Sequence, residues 1–186
     1  APKAELISLD GSLPSGLSAD AYYDLIGLIK EINPQCQVIL DTSGSALQKG
    51  IQAKPFMVKP NRQEMETLWG EPLPDRHRQA QAVQALMADG IPLVVLSLGD
   101  QGVVYGYNGR VYQIAPLAVE AQSAVGCGDA LVGGFATYFR NSRDVDAAVR
   151  YGVAAATSNL IAKTQGDVNR EAVEKFFRQV RVEQII

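Results

Sequence analysis

Cysteine and histidine are scarce in this 186-residue sequence, which holds two cysteines, Cys36 and Cys127, and one histidine, His77. With no CxxC spacing and a single imidazole, a disulfide framework, a zinc site and a Ser-His-Asp site are excluded together. An excess of one charge is lacking too. Seventeen basic residues against twenty acidic ones leave −3, which gives no electrostatic reason to expect a nucleic-acid or anionic-membrane partner. Long apolar runs are also missing: IPLVVLSLG is interrupted within about ten residues, short of the ~20 needed to span a bilayer, and the opening APKAELISLD has no signal-peptide layout. A membrane partner is therefore not expected, and the expected location is cytoplasmic. Two common nucleotide motifs are absent as well. No G-x-x-x-x-G-K-[ST] occurs, and Gly126-Cys127-Gly128 lacks the third glycine of the dinucleotide fingerprint, with Leu131 in its place.

What is present is enough apolar material for a core. Hydrophobic residues make up 47% and charged residues 20%, a soluble globular balance. Short β-branched runs alternate with longer amphipathic segments, which predicts an α/β protein with a parallel sheet covered by helices. Strands are expected at 6–9, 38–40, 56–58 and 93–97, and helices at 19–32, 62–69 and 76–89. Ser18 and Asn61 are candidate caps, and Gly90 before Pro92 closes the third helix. Asn108-Gly109 between 103–107 and 111–114 predicts an antiparallel hairpin. Three helices are expected after it, at 130–139, 145–163 and 169–180. No linker or internal repeat divides the chain, so residues 1–186 read as a single domain.

The segment richest in chemistry is QSAVGCGD at 122–129, followed at once by an apolar helical run. Two glycines one residue apart let the backbone turn sharply and present successive N–H groups, and the helix adds its positive end. That is a place for a phosphate. Asp129 at the end of the loop could orient and deprotonate an attacking hydroxyl beside it. In isolation the same GxGD also reads as a helix cap after a glycine turn. KPNRQE at 59–64 places Asn61 and Glu64 three apart after a strand, where α/β proteins bind ligands, although a capping box has the same form. SLGDQG at 97–102 is a third glycine loop at a strand end, or a plain turn.

These residues resemble a family. VGCGDALVGGF is similar to the C-terminal signature of the PfkB-type sugar kinases of the ribokinase-like fold, usually written with GAGD. DGSLPSG, DTSG, KPNRQE, SLGDQG and YGVAAATSN follow the same order as in that family. Within it, SLPxG with DTSG and KPNxxE is most similar to the phosphosugar branch of 1-phosphofructokinase, tagatose-6-phosphate kinase and the minor 6-phosphofructokinase. The resemblance implies a three-layer sheet with helices on both faces, and transfer of the ATP γ-phosphoryl group to a hydroxyl of fructose or tagatose phosphate. It further implies that Asp129 is the catalytic base and that the N–H groups of Gly126, Cys127 and Gly128 form the anion hole. Lys59, Asn61 and Glu64 would serve the ATP phosphates and the Mg2+ shell, and Ser97, Gly99 and Gly102 would line the nucleotide site. Ser12 would touch the sugar phosphate, Val153 and Thr157 would border the adenine, and Ser123 with Val125 would form a K+ loop. The complete protein would be a homodimer.

Two departures stand out. Cys127 replaces the usual alanine, which a loop working through backbone N–H tolerates. Family members are longer, and their N-terminal part and lid have no counterpart here, so the chain alone is expected to be inactive. A noncatalytic nucleotide-binding module, or a nucleoside, pentose or vitamin kinase, are the competing readings. Cys127 is expected to be more accessible than Cys36, unless it points into the core under the loop. His77 reads as a solvated helix residue, Trp69 as packing, and 170–181 as a solvated amphipathic helix.

Overall fold

The structure is a computed structural model that describes residues 3–186. Its strands are β1 (Leu6–Asp10), β2 (Gln37–Asp41), β3 (Met57–Val58), β4 (Leu93–Ser97), β5 (Val103–Tyr107), β6 (Arg110–Ile114) and β7 (Val182–Gln184). The helices are α1 (Ala21–Ile32), α2 (Gly44–Gly50), α3 (Arg62–Trp69), α4 (Arg76–Ala88), α5 (Cys127–Ser142), α6 (Val145–Leu160) and α7 (Arg170–Gln179). The strands follow one another across the sheet in chain order. The described residues divide into two compact units: those up to Leu98, with 104–112 and 185–186, form one, and residues 99–103 and 113–184 the other.

The first unit is built on parallel pairs. Leu6 to Asp10 run in register with Gln37 to Asp41, Ile39 and Leu40 pair with Met57 and Val58, and these in turn with Leu93 and Val94. Strands covered on both sides carry continuous apolar runs, and VILD, MV and LVVLS are such runs. Val38, Leu40, Val58, Val94 and Leu96 form one buried cluster with Ile26 and Ile29 of α1 and Met65 of α3. Leu25, Leu28 and Ile32 on the other side of α1 are exposed.

Helices α3, α4, α6 and α7 start where short polar side chains take up free N–H groups. Asn61 accepts from the Glu64 N–H and the Glu64 carboxylate accepts from the Asn61 N–H, a complete capping box. Asp75, Asp144 and Asn169 cap α4, α6 and α7 through side-chain oxygens. Ser43 before α2 and Gly126 before α5 make no such bond, and the expected Ser18 cap does not form. Helix α1 begins after Asp20, which makes no side-chain cap, and the Ser18 hydroxyl donates to the Asp20 carboxylate while accepting from the Asp20 N–H. An Asx-like local turn has taken the place of the expected cap.

Two elements were not expected from the sequence. DTSGSALQKG continues into helix α2, whose Ala46 and Leu47 are buried, and β7 forms near the C-terminus. Next to β7, Ile185 donates to the Val111 carbonyl at 2.8 Å and Val111 donates to the Ile186 carbonyl at 3.0 Å. The hairpin is as expected, with Asn108 and Gly109 both at positive φ, 51° and 76°.

The second unit is helical. Helices α5 and α6 cross in close contact because Gly134 faces Gly152; a Cβ on Gly134 would lie 2.7 Å from the Ala155 Cβ and 3.0 Å from the Gly152 Cα. Leu131, Phe135 and Phe139 of α5 are buried, with Val149 of α6 and Val173 and Phe176 of α7. Helix α5 starts at Cys127 and ends at Ser142, longer at both ends than periodicity predicts, because a turn of backbone can be helical before its side chains show an apolar face.

Candidate functional site

The phosphate loop is folded as its glycines demand. Gly126 has φ 79° and ψ 0°, the third position of a type II turn, and the Cys127 N–H closes that turn on the Ala124 carbonyl at 3.2 Å. A side chain on Gly126 would meet only ordinary contacts, so the requirement for glycine there is conformational. Helix α5 begins immediately, and Ala130 N–H is bonded to the Gly126 carbonyl at 2.9 Å. Among the described residues, no acceptor engages the N–H groups of Gly126, Gly128 or Asp129. The Cys127 N–H is engaged within the turn, and Gly126, Gly128 and Asp129 hold the open ones.

The Asp129 side chain is exposed beside these donors, with no hydrogen bond or ion pair among the described residues. An acceptor hydroxyl can reach a carboxylate in that condition. Two ties from α6 hold the loop from beneath. The Leu160 carbonyl accepts from Gln122 at 2.8 Å and Ser123 at 3.3 Å, and the Asn159 amide donates to the Val125 carbonyl at 2.8 Å.

In the first unit, Lys59 directly follows β3 and is buried, with Nζ 3.2 Å from an Asp41 carboxylate oxygen. Asn61 and Ser97 pair as a parallel bridge, and Ser97 donates from its N–H to the Pro60 carbonyl at 2.9 Å. The strand ends β3 and β4 are thereby joined at the residues expected to serve a nucleotide. A cavity of about 260 Å³ lies here, lined by Ser43, Gly44, Asn61, Glu64 and Thr67 among others. A larger open cavity, about 870 Å³, is lined by helix faces that include Thr137, Tyr138, Tyr151 and Glu174. None of the 122–129 loop lines it, so volume alone does not mark the site.

Comparison with known proteins places the chain in a family. Residues 1–169 match the pfkB family of carbohydrate kinases. The chain belongs to that family. It is 38% identical over 131 residues to 1-phosphofructokinase of Escherichia coli strain K12, covering 70% of this chain and 41% of that protein. Phosphofructokinase-2 of Escherichia coli in complex with potassium superposes with a TM-score of 0.86 at 27% identity, covering 95% of this chain and 57% of that one. The same enzyme in complex with substrates and products gives 0.82 at 29% identity, with 94% and 56% covered. The chain thus spans less than half the length of the curated relative it matches. The fold is α/β and ribokinase-like, as the sequence implied.

Family membership directs attention to each expected residue. Ser12 lies exposed just after β1, where the Gly11 carbonyl is held by Thr42 and Tyr22 hydroxyls at 2.7 and 3.0 Å. Gly99 and Gly102 both have positive φ, and a Cβ on Gly102 would strike the Ile114 carbonyl oxygen, so that glycine is needed for a close backbone approach. Val153 and Thr157 are each 7% exposed, and the Thr157 hydroxyl donates to the Val153 carbonyl at 2.9 Å. Both are packed within α6.

The magnesium that a sugar kinase employs needs few protein ligands, because Mg2+ keeps several waters and binds through one or two carboxylates and the substrate phosphates. Glu64 fits. One carboxylate oxygen holds the Asn61 N–H at 2.8 Å and the other has no partner among the described residues. Ser123 and Val125 fit a monovalent cation less well. The Val125 carbonyl is engaged by Asn159, and the Ser123 hydroxyl accepts from the Val125 N–H at 3.3 Å. That pair alone offers too few free oxygens to replace a hydration shell.

Two residues of this arrangement escaped the sequence reading as individuals. Asp41 closes a strand as an apparently ordinary acid, yet pairs with Lys59. Asn159 is 1% exposed inside an apolar helix, and an amide amid GVAAATSNL is the signal that could have revealed it.

Proposed function

We propose that this chain is the nucleotide-handling portion of a phosphosugar kinase, which moves the ATP γ-phosphoryl group to a hydroxyl of a ketohexose monophosphate such as fructose or tagatose phosphate. The observation that carries the reading is that, among the described residues, the N–H donors of Gly128 and Asp129 are open beside an Asp129 carboxylate that has no partner. Family membership over residues 1–169 supports it.

In this reading Asp129 accepts the hydroxyl proton as the oxygen–phosphorus bond forms and the bond to the β-phosphate oxygen breaks, releasing ADP. The main task of Asp129 is orienting the hydroxyl, which a loose transition state requires more than early deprotonation. The N–H groups of Gly128 and Asp129, with Gly126, stabilise the charge on the transferred group. Bound magnesium would neutralise phosphate charge. Asn61 and Glu64 would hold its water shell, and Lys59, released in part from Asp41, would face the phosphates. Ser97, Gly99 and Gly102 would line the nucleotide, and Ser12 the sugar phosphate. Val153 and Thr157, each 7% exposed on α6, would border the adenine through apolar contact.

Calorimetry with ATP and magnesium tests the reading. Saturable binding that weakens about tenfold or more in Asn61→Ala and Glu64→Ala is expected, given ~1 to 3 kcal/mol for each hydrogen bond to a charged group. Absence of binding to the folded complete protein, or unchanged affinity in both variants, refutes it.

A further inference from the structure

Asn159 lies in the last turn of α6 and its side chain is enclosed. A carboxamide has two donor hydrogens and a carbonyl oxygen, and all three are used. Nδ2 donates to the Val125 carbonyl at 2.8 Å and to Cys127 Sγ at 3.3 Å, while Oδ1 accepts from the Gly166 N–H at 2.8 Å. A Cβ built on Gly126 would lie 3.6 Å from both Nδ2 and Oδ1 of the same amide. One side chain therefore ties Val125 and Cys127 of the loop to Gly166 in the 161–169 connection.

The Val125 carbonyl is the acceptor, four residues back, that the Asp129 N–H would take if α5 wound one residue further toward its N-terminus. Asn159 already holds it, and the Asp129 and Gly128 N–H groups are left open among the described residues. We propose that Asn159 is a positioning residue of the phosphate loop: by holding the Val125 carbonyl it stops α5 from extending backward and keeps these two donors free for an anion. That the anion is a transferred phosphoryl group rests on the function proposed above.

An isosteric variant separates positioning from mere packing. In Asn159→Asp a carboxylate oxygen replaces Nδ2 and faces the Val125 carbonyl, acceptor against acceptor, while the bond from Gly166 survives. Burial raises the pKa of such a group, so protonation restores a donor as pH falls. Cys127 is the titratable side chain in contact with the amide, and the native protein run in parallel accounts for it. In the complete kinase, Asn159→Asp is expected to lose about 10²-fold in kcat near about pH 8, the cost typical of losing an oxyanion donor. Much of that loss should return near about pH 6, with the sugar-phosphate KM changed less than about threefold. Asn159→Ala is expected to be impaired at both pH values and to speed alkylation of Cys127. Unchanged kcat and an unchanged pH profile in the folded Asp variant overturn the proposal.

Amide hydrogen exchange on the native chain needs no variant. Rapid exchange at Gly128 and Asp129 against slow exchange at Leu131 is expected, and an Asp129 amide as protected as Leu131 overturns the proposal. Failure of the functional reading is distinguishable. A complete protein that neither binds ATP nor phosphorylates a sugar removes the kinase, whereas exchange at Asp129 and Cys127 alkylation in Asn159→Ala decide the positioning role by themselves.

Discussion

Gly152→Ala places one methyl group where α6 meets α5. The new Cβ would lie 2.6 Å from the Leu131 carbonyl oxygen and 3.3 Å from the Phe135 nitrogen. Both obstacles are backbone, so no rotamer change relieves them. Reaching ordinary contact requires the helices to part by roughly 0.8 Å, and overpacking of this kind costs about 1 to 3 kcal/mol, with immovable neighbours at the upper end. Against this, alanine is favoured over glycine in a helix interior by about 1 kcal/mol. The expected net loss is about 2 kcal/mol, or a melting temperature lower by roughly 4 to 8 °C for a chain of this size. Gly133→Ala supplies the control. It is in the interior of α5, exposed, with nothing within 4 Å of its Cβ position, so the propensity gain should stand alone and raise the melting temperature by roughly 2 to 4 °C. Thermal and urea unfolding followed by far-ultraviolet circular dichroism measure both. If the two alanines shift stability in the same direction, the close approach of α5 and α6 is not what selects glycine at 152. Because Asn159 lies seven residues further along α6, the displaced helix should also weaken ATP binding.

Asp129→Asn is expected to lower kcat of the complete kinase by about 10² or more while ATP affinity holds, since asparagine keeps the shape but cannot accept the proton; loss of affinity with kcat retained would contradict that role. Lys59→Met removes the cation from Asp41 at a site where both side chains are largely buried, and a destabilisation of about 3 kcal/mol is expected in urea titration; no change would mean that solvent screens the pair. Timed alkylation with peptide mapping should label Cys127 before Cys36. Cys36 is 5% exposed, and burial pushes its thiol above the usual cysteine range. The sign follows from that raise: the neutral thiol favours the folded state below the ordinary thiol pKa, and this contribution is lost as pH rises through the raised value. Alkaline unfolding should therefore be eased in native protein and less so in Cys36→Ala. Cys127 should still react more slowly than a free thiol, because its Sγ lies 3.5 Å from the Ala156 carbonyl oxygen and takes the Asn159 amide at 3.3 Å. Labelling at the rate of a free peptide thiol would refute that placement.

Much of the fold was legible because its signals are local. Continuous apolar runs marked β2 and β4, the Asn108-Gly109 pair marked the hairpin, and Asn61 with Glu64 marked the start of α3 to the residue. Helix α2 was hidden because DTSGSALQKG is rich in turn formers, and Ala46 and Leu47 become an apolar face only when packed. Strand β7 was hidden because its residues are exposed, with no apolar alternation to betray pairing.

At the site, the sequence by itself determined the parts that depend on neighbours along the chain: a glycine turn at 126, a helix beginning directly after it, and Asp129 two residues further on. Order along the chain was also enough for the resemblance to sugar kinases, since motif spacing is a one-dimensional property. Which N–H groups remain open was decided by the tertiary structure. The Cys127 donor is consumed by the Ala124 carbonyl, and the Val125 carbonyl is withdrawn from the helix by an amide 34 residues away. A hydrogen bond is allotted by geometry in space and not by separation in sequence, so the competition between Asn159 and Asp129 for one carbonyl exists only once α6 is packed against α5.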